Sequence, residues 1–439
     1  MKKLTTSIIA FLFFTRLFSQ NPIIPPGIYI ADPSAHVWND GKLYIYGSRD
    51  DSTGYYCSWN YHVLSTEDLK SWTIHENSFA SKGPGDMVPY SDDYLYAPDV
   101  QYKDGTYYLY YCLANWTNTE GVATSSSPTG PFGAGRIINT GGINQIDPCV
   151  FIDDDGQAYY IWGQFTAKMA RLKPNMMEID STTIRDSIVT QKEHRFHEGG
   201  YMVKCNGIYY FVYAGLSMQD MPSCISYATA TSPWGPFKYG GVIVDNDHSD
   251  PGNWNNHGSL VEFKGQWYVF YHRATHGSNT MRKACLEPIT FNEDGSINEV
   301  EMTTQGASGP LNSREVIDAE RACLLHGNLK IIASVKDNEV LTDFREGDRA
   351  AYKYIDFGTG IKQATFMVAP GADSGSIMVG LDNPWVWFGP TVQVPGGGDG
   401  NTWTNFSIPF GPVTGVHAVW LIFNTKGKDS YKLDWFKFE

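Results

Sequence analysis

The sequence predicts an all-β protein, a five-bladed β-propeller followed by a β-sandwich of jelly-roll type. Three observations carry this. One aromatic hairpin pattern recurs five times, the composition is rich in turn residues, and the pattern changes character after Ile297. The five segments are DPSAHVWNDGKLYIYGS, PDVQYKDGTYYLYYCL, DPCVFIDDDGQAYYIWG, EGGYMVKCNGIYYFVYA and HGSLVEFKGQWYVFYHR. Each has a polar residue, a short apolar stretch, a Gly-bearing turn and a strongly aromatic strand. The turns NDG, KDG, DDG, CNG and FKG supply the positive φ that tight hairpins need. The leading polar residues Asp32, Asp99, Asp147, Glu198 and His257 recur at roughly fifty to seventy residues, the length of a four-stranded blade plus a loop. Pro- and Gly-closed segments between them, such as TSSSPTGPFGAG and TATSPWGPFKYGG, are outer blade edges.

The innermost strands of a propeller begin at its central channel. Four carboxylates and a His, scattered over more than two hundred residues, are therefore expected to meet there. From about residue 310 onward, GDRAAYKYIDFG, TWTNFSIPF, VHAVWLIFNTKG and YKLDWFKFE alternate like antiparallel strands, as a sandwich requires. The expected division is 1–19 a signal peptide, 20–308 the propeller and 312–439 the sandwich. With 439 residues, two domains are the default expectation.

Lys2 and Lys3, the apolar run Ile8–Phe14 and the small Ser19 form the leader pattern. The expected location is secreted or periplasmic. The apolar run is too short for a membrane span, so no transmembrane segment is expected. A formal net charge of −14 argues against a nucleic-acid partner, which needs clustered Lys and Arg. A neutral polysaccharide or oligosaccharide meets no such objection, and an aromatic content of 14% suits sugar stacking or blade packing. The seven Cys are odd in number and lack a CxxC pattern, so buried thiols are expected.

Glycoside hydrolysis needs one carboxylic acid to protonate the leaving oxygen and one carboxylate to activate water or attack the sugar. A third nearby carboxylate helps the acid keep its proton. The repeat supplies such a set, with Asp32 as base, Glu198 as acid and Asp147 as the orienting, pKa-raising carboxylate. Each could instead be a turn residue, but the repeat places all three at the channel. Asp99 either binds a sugar hydroxyl or holds blade two in place. Arg282 can reach a sugar or make an ion pair. Tyr96, Trp116, Trp162 and Trp254 are candidate sugar platforms, with blade packing as the alternative. The DDDG stretch at 153–156 lacks EF-hand spacing and is better read as a hairpin turn. No cofactor is expected for the chemistry.

Across residues 27 to about 305, ADPSAHVWNDGKLYIYGSRD, YAPDVQYKDGTYYLYY, IDPCVFIDDDGQAYYIWG and HEGGYMVKCNGIYYFVYA resemble glycoside hydrolase family 43, in the family's order. The resemblance implies an inverting enzyme whose base, modulator and acid fall on Asp32, Asp147 and Glu198. It is nearest to members that release arabinofuranosyl or xylosyl residues from plant cell-wall polysaccharide such as arabinoxylan. It also implies that His257 supports an ion, Ca²⁺, in the channel. Tyr96 stands where the family usually has Trp. Endo-acting arabinanase or xylanase action is the alternative within the fold, and a non-catalytic glycan-binding propeller the alternative outside enzymes. The fructan-cleaving five-bladed hydrolases are disfavoured, because ADPSA, IDPCV and HEGGY stand where their motifs would be.

The C-terminal segment resembles carbohydrate-binding module family 6 through IDAE at 317–320 and LDWFKF at 433–438. That resemblance implies a structural Ca²⁺ held by Asp318, Glu320 and Asp434, and a sugar-stacking Trp403. Asp318 and Glu320 are two residues apart and would share one face of a strand. The segment departs from the family at Arg349, where an aromatic often follows Gly-Asp, and at Lys432, which replaces an Asn.

Overall fold

The computed structural model describes residues 20–115, 119–142, 146–334 and 338–439. The expected leader, 1–19, and the candidate platform Trp116 lie outside the described residues. Five separate antiparallel sheets follow one another along the first part of the chain. Blade one comprises Ile30–Val37, Leu43–Arg49, Asn60–Thr66 and Thr73–Ala80. Blade two comprises Asp99–Lys103, Thr106–Cys112, Glu120–Ser125 and Arg136–Ile137. Blade three has Cys149–Ile152, Ala158–Trp162 and Lys168–Arg171, and blade four has Phe196–Cys205, Ile208–Gly215, Cys224–Ala230 and Lys238–Asp245. Blade five has Ser259–Phe263, Gln266–Arg273 and Lys283–Ile289.

These strands form where the aromatic runs predict, because both faces of a blade are buried against its neighbours. Tyr46, Tyr110, Tyr111, Tyr160, Tyr210, Tyr213 and Tyr271 are all almost fully buried. The ring closes between blades five and one. Ile23 donates its N–H to Ala284 O at 3.0 Å, so the N-terminal segment runs beside the last strand of blade five. Buried Asn21 secures it, donating to Leu286 O, Thr303 O and Glu287 Oε1. Closure by an early segment leaves blade five no free edge there.

The last part of the chain is a two-sheet sandwich. One sheet runs Leu311–Asn312, Asp348–Asp356, Val416–Thr425, Gly375–Leu381, Val392–Val394 in spatial order. The other runs Lys330–Ala333, Glu339–Thr342, Tyr431–Phe438, Gln363–Pro370, Thr404–Pro409. Between them lies an aromatic core of Phe344, Tyr352, Phe357, Phe366, Phe410, Phe423, Phe436 and Phe438. The sandwich is docked on the propeller by polar contacts. Glu339 accepts from Tyr29 Oη and pairs with Lys283 Nζ, both at 2.5 Å, while Arg321 donates to Gln20 O and Pro22 O. All seven Cys are free thiols, as the sequence leads one to expect, and six are buried. No helix among the described residues is long and apolar enough to cross a membrane.

Candidate active site

The propeller carries a cavity of about 660 Å³ at its centre. Asp32, Asp147, Glu198, His257 and Arg282 all line it, so three of the expected four carboxylates do meet. The backbone explains how. Asp32 and Asp147 have φ of 53° and 55°, a conformation non-glycine residues rarely adopt. Each precedes a proline, which has no N–H to give to the next strand. The ladder of blade one breaks between Ala31 and Ser34, and that of blade four breaks on both sides of Glu198. These local kinks take the acidic residues out of the sheet. Strain of this kind concentrates at functional sites. Gly199, at φ 65°, closes against His257, and a Cβ there would lie 2.7 Å from the imidazole ring.

Asp99 is the exception and corrects the expectation that it contacts sugar. It begins a regular strand, paired with Tyr110, and is 1% exposed. Its carboxylate accepts from Ser34 Oγ at 2.6 Å, His36 Nε2 at 2.7 Å and Val150 N–H at 2.7 Å. It joins blades one, two and three and does not line the cavity. Trp162 is likewise corrected from platform to core: it is 1% exposed and packs against Tyr160. Tyr96 and Trp254 do line the cavity, and Trp254 is 43% exposed.

The surroundings of Asp32 keep it ionised. Ser48 Oγ donates to Oδ2 at 2.5 Å, and Arg282 Nη1 lies 3.2 Å from Oδ1. Burial, the largest single influence, would raise this carboxyl, but Arg282, His272 and His257 together outweigh it and hold it well below the usual carboxylate range. Arg282 is fixed in turn by Asp50, through Nε and Nη2 at 2.9 Å each. The backbone N–H of Asp32 donates to His272 Nδ1 at 3.0 Å.

Asp147 has the opposite environment. Burial first, then the charges of Glu198 and Asp32, push its carboxyl well above the ordinary value, against the opposing N–H of Gly199. Its Oδ2 is buried without a hydrogen-bond partner. A proton is thus retained in this part of the cavity near neutral pH. Glu198 sits beside it, accepting from Gln164 Nε2 at 2.6 Å on Oε2 and from Asn255 Nδ2 on Oε1. Asn255 Oδ1 is buried and unpaired, so rotation of that amide offers an acceptor to a protonated Glu198. His257 Nδ1 lies 3.7 Å from Asp32 and 4.0 Å from Asp147. Burial lowers its pKa, against the opposing charges of Asp32 and Glu198, and favours the neutral ring.

Asp50, Ser48, His272, Gln164 and Asn255 were not singled out from sequence. Their only signal was position: Asp50 closes the first aromatic motif, His272 the fifth, and Asn255 stands two before His257. An aromatic series also leaves the cavity. Tyr96 meets Tyr56 at 5.7 Å between ring centroids, Tyr56 stacks on Tyr55 at 4.6 Å, Tyr55 meets Tyr94 at 5.2 Å, and Tyr94 stacks on Trp59 at 4.5 Å.

Of the expected calcium ligands, Asp318 pairs with Trp435, next to Asp434 on the last strand, and its charge acts on Glu320. Among the described residues, no three His, Cys, Asp or Glu side chains are arranged to hold a metal ion. The strand Ile317–Asp318 gives way to a 3-10 turn at Ala319–Arg321, so Glu320 does not continue the face of Asp318. Arg321 Nε, 3.5 Å from Asp318 Oδ2, brings a positive charge of its own. Asp434 accepts from Asn338 at 2.7 Å. His257 faces the catalytic carboxylates themselves. Trp403 is half-buried, on the loop before Thr404–Pro409.

A propeller whose central cavity gathers an ionised carboxylate, a carboxyl held toward its protonated form and a third carboxyl beside them has the groups that define a glycoside hydrolase. The family model of glycosyl hydrolases family 43 matches residues 19–297, and the chain belongs to that family. The model of carbohydrate binding module (family 6) matches residues 326–439. A xylosidase/arabinosidase of Thermoclostridium stercorarium is 31% identical, over 94% of this chain and 97% of its own length. A family 43 arabinoxylan arabinofuranohydrolase from Bacillus subtilis, solved with cellotetraose, matches at TM-score 0.53 and 27% identity, covering 96% of this chain and 97% of that one. A β-xylosidase/α-arabinofuranosidase from a compost metagenome, solved with xylotriose in a calcium-free form, matches at TM-score 0.56 and 31% identity, covering 65% of this chain and 98% of that one.

Proposed function

We propose that this enzyme removes arabinofuranosyl or xylosyl residues from plant cell-wall polysaccharide such as arabinoxylan, outside the cytoplasm, with inversion at the anomeric carbon. The observation that carries this is one cavity in which Glu198 stands beside an Asp32 held ionised by Arg282 and an Asp147 pushed toward its protonated form. Water held by Asp32 attacks the anomeric carbon and gives its proton to that carboxylate. Glu198 delivers a proton to the departing glycosidic oxygen, so one C–O bond forms as the other breaks. Asp147 keeps a proton in reserve beside the acid, and Arg282 with Asp50 keeps the base aligned and charged. The names of the relatives support the choice of pentose. Tyr55, Tyr56 and Tyr96, which line the cavity at the start of the aromatic series, support a polymeric aglycone, since aromatic rings stack on sugars.

The test is turnover of aryl α-L-arabinofuranosides, aryl β-D-xylopyranosides and arabinoxylan, with the first-formed sugar followed by proton NMR. Release of free pentose in the anomeric configuration opposite to that of the bond cleaved is expected. Release of only long oligosaccharides, or of the retained anomer, contradicts the proposal.

A further inference from the structure

The sandwich touches the propeller at the segments that hold the proposed base, Asp32. Glu339, which begins the strand Glu339–Thr342, is 1% exposed at this seam, and its partner Lys283 is also buried. Its Oε2 meets Lys283 Nζ at 2.5 Å, and its Oε1 accepts from Tyr29 Oη at 2.5 Å and from Gly27 N–H at 3.3 Å. Lys283 Nζ also donates to Pro25 O at 3.1 Å, so one carboxylate ties the N-terminal segment to the last strand of blade five.

Both arms of this clamp lead to the same pair. Lys283 directly follows Arg282, whose backbone N–H, Nε and Nη2 all donate to Asp50 at 2.9 Å, and whose Nη1 lies 3.2 Å from Asp32 Oδ1. On the other arm, Tyr29 O accepts from the backbone N–H of Asp50 at 3.1 Å, and Tyr29 stands three residues before Asp32. Glu339 therefore braces the Asp50–Arg282 pair from two sides.

The sandwich also seats the loop that delivers Arg282. Residues 274–282 join Gln266–Arg273 to Lys283–Ile289 and bring Asn279 and Arg282 to the cavity. Thr275 Oγ1 donates to Met281 O at 2.7 Å and closes this loop, while Ile331 N–H, from the sandwich strand Lys330–Ala333, donates to Thr275 O at 3.1 Å. The loop also presses on Gly252, where a Cβ would lie 1.8 Å from Ser278 N.

A buried ion pair is poorly explained as glue between domains. Both charges lose their water, and an apolar contact of the same size would dock the sandwich without that loss. What an apolar contact lacks is direction, which short charge-assisted hydrogen bonds supply. We propose that Glu339 is a positioning residue for the reaction in the propeller: through Lys283 and Tyr29 it fixes the Asp50–Arg282 pair that keeps Asp32 in place. The sandwich is then part of the catalytic unit. The inference rests on the proposed reaction for the step affected, activation of water by Asp32; the hold on Arg282 does not depend on the substrate.

The experiment compares the full-length protein with Glu339→Ala and with Lys283→Met/Glu339→Gln, which removes both charges so that neither is left buried alone. It measures kcat and KM on an aryl pentoside, and the rate at which iodoacetamide alkylates each thiol, resolved by mass spectrometry. Cys57 reports on Arg282, because it lines the cavity and its Sγ lies 3.7 Å from Arg282 Nη2. Cys323 reports on docking, because it is buried in the sandwich within reach of the charges of Arg273 and Glu287 on the propeller. In both variants kcat is expected to fall about tenfold or more with KM little changed, since a small misplacement at the reacting groups is felt in the transition state. Cys57 should react several times faster than in the parent, and Cys323 at the parent's rate. Parental kcat, or parental reactivity of Cys57, in both variants overturns the proposal. So does Cys323 reacting faster along with Cys57, which would make the pair a fastener between domains only. A parent that turns over no pentoside counts against the reaction, and the Cys57 rate then decides the hold on Arg282 alone.

Discussion

Asp32 and Asp147 are chemically the same side chain, each preceding a proline with the same left-handed kink, yet their charge states are opposed. Arg282 and Ser48 reach Asp32, whereas burial and the charge of Glu198 dominate at Asp147. Two carboxyls that repel in a buried site lose their protons in separate macroscopic steps. Removing one relieves the other. Asp147→Asn, which keeps size and removes the charge, is therefore expected to move the alkaline limb of kcat/KM to lower pH. The acidic limb should stay in place, because Arg282 still holds Asp32 ionised. An alkaline limb at its original position would show that Asp147 does not tune the acid. The pH profile decides this, since a merely structural role would lower the rate without moving the limb.

At the scale of elements, the aromatic hairpins were legible because a two-residue period and Gly turns are local properties. The expectation that every leading polar residue faces the channel was too uniform. Blades one and three read Asp-Pro, and the ladder of blade one is broken there; blade two reads Pro-Asp, and Asp99 stays in register. That inversion of two letters was the available signal. Trp162 was illegible for another reason: all five residues of Ala158–Trp162 are buried, so alternation gives no inward and outward face to tell apart. The amides of Gln164 and Asn255 arrive from loops whose paths no periodicity describes. In the sandwich, the pairing of the IDAE stretch with the last strand was legible, but the chain turns into a 3-10 helix after Asp318, so Glu320 leaves the strand face that its spacing suggests.

Across the whole molecule, buried acidic groups that take no part in the proposed reaction set how stability follows pH. Burial raises Glu120 to about 8, Asp250 to about 7 and Glu287 to about 8. Each therefore holds a proton in the folded protein over a range where the unfolded chain has released it. Their contribution is fully present below the unfolded values near 4 and is lost as pH rises toward 8. Depressed groups such as Asp32 act in the opposite sense, but below that window. The melting temperature is expected to fall between pH 5.5 and 8.5. Glu287→Gln, whose amide oxygen can still accept from Asn21 and Thr303 N–H while its NH2 donates to the Thr303 hydroxyl, removes the titration and should flatten the slope; a melt that rises with pH would refute this. The proposed reaction depends on the division of roles between Asp32 and Glu198. The most direct measurement is turnover of pentosides with good and poor leaving groups by Asp32→Ala and Glu198→Ala. Both variants should lose about 10²–10⁴-fold on a poor leaving group. A dinitrophenyl glycoside, which departs without protonation, should restore most of the rate to Glu198→Ala and none to Asp32→Ala. Rescue of Asp32→Ala instead, or near-parental turnover of unactivated substrate by either variant, would contradict the assignment.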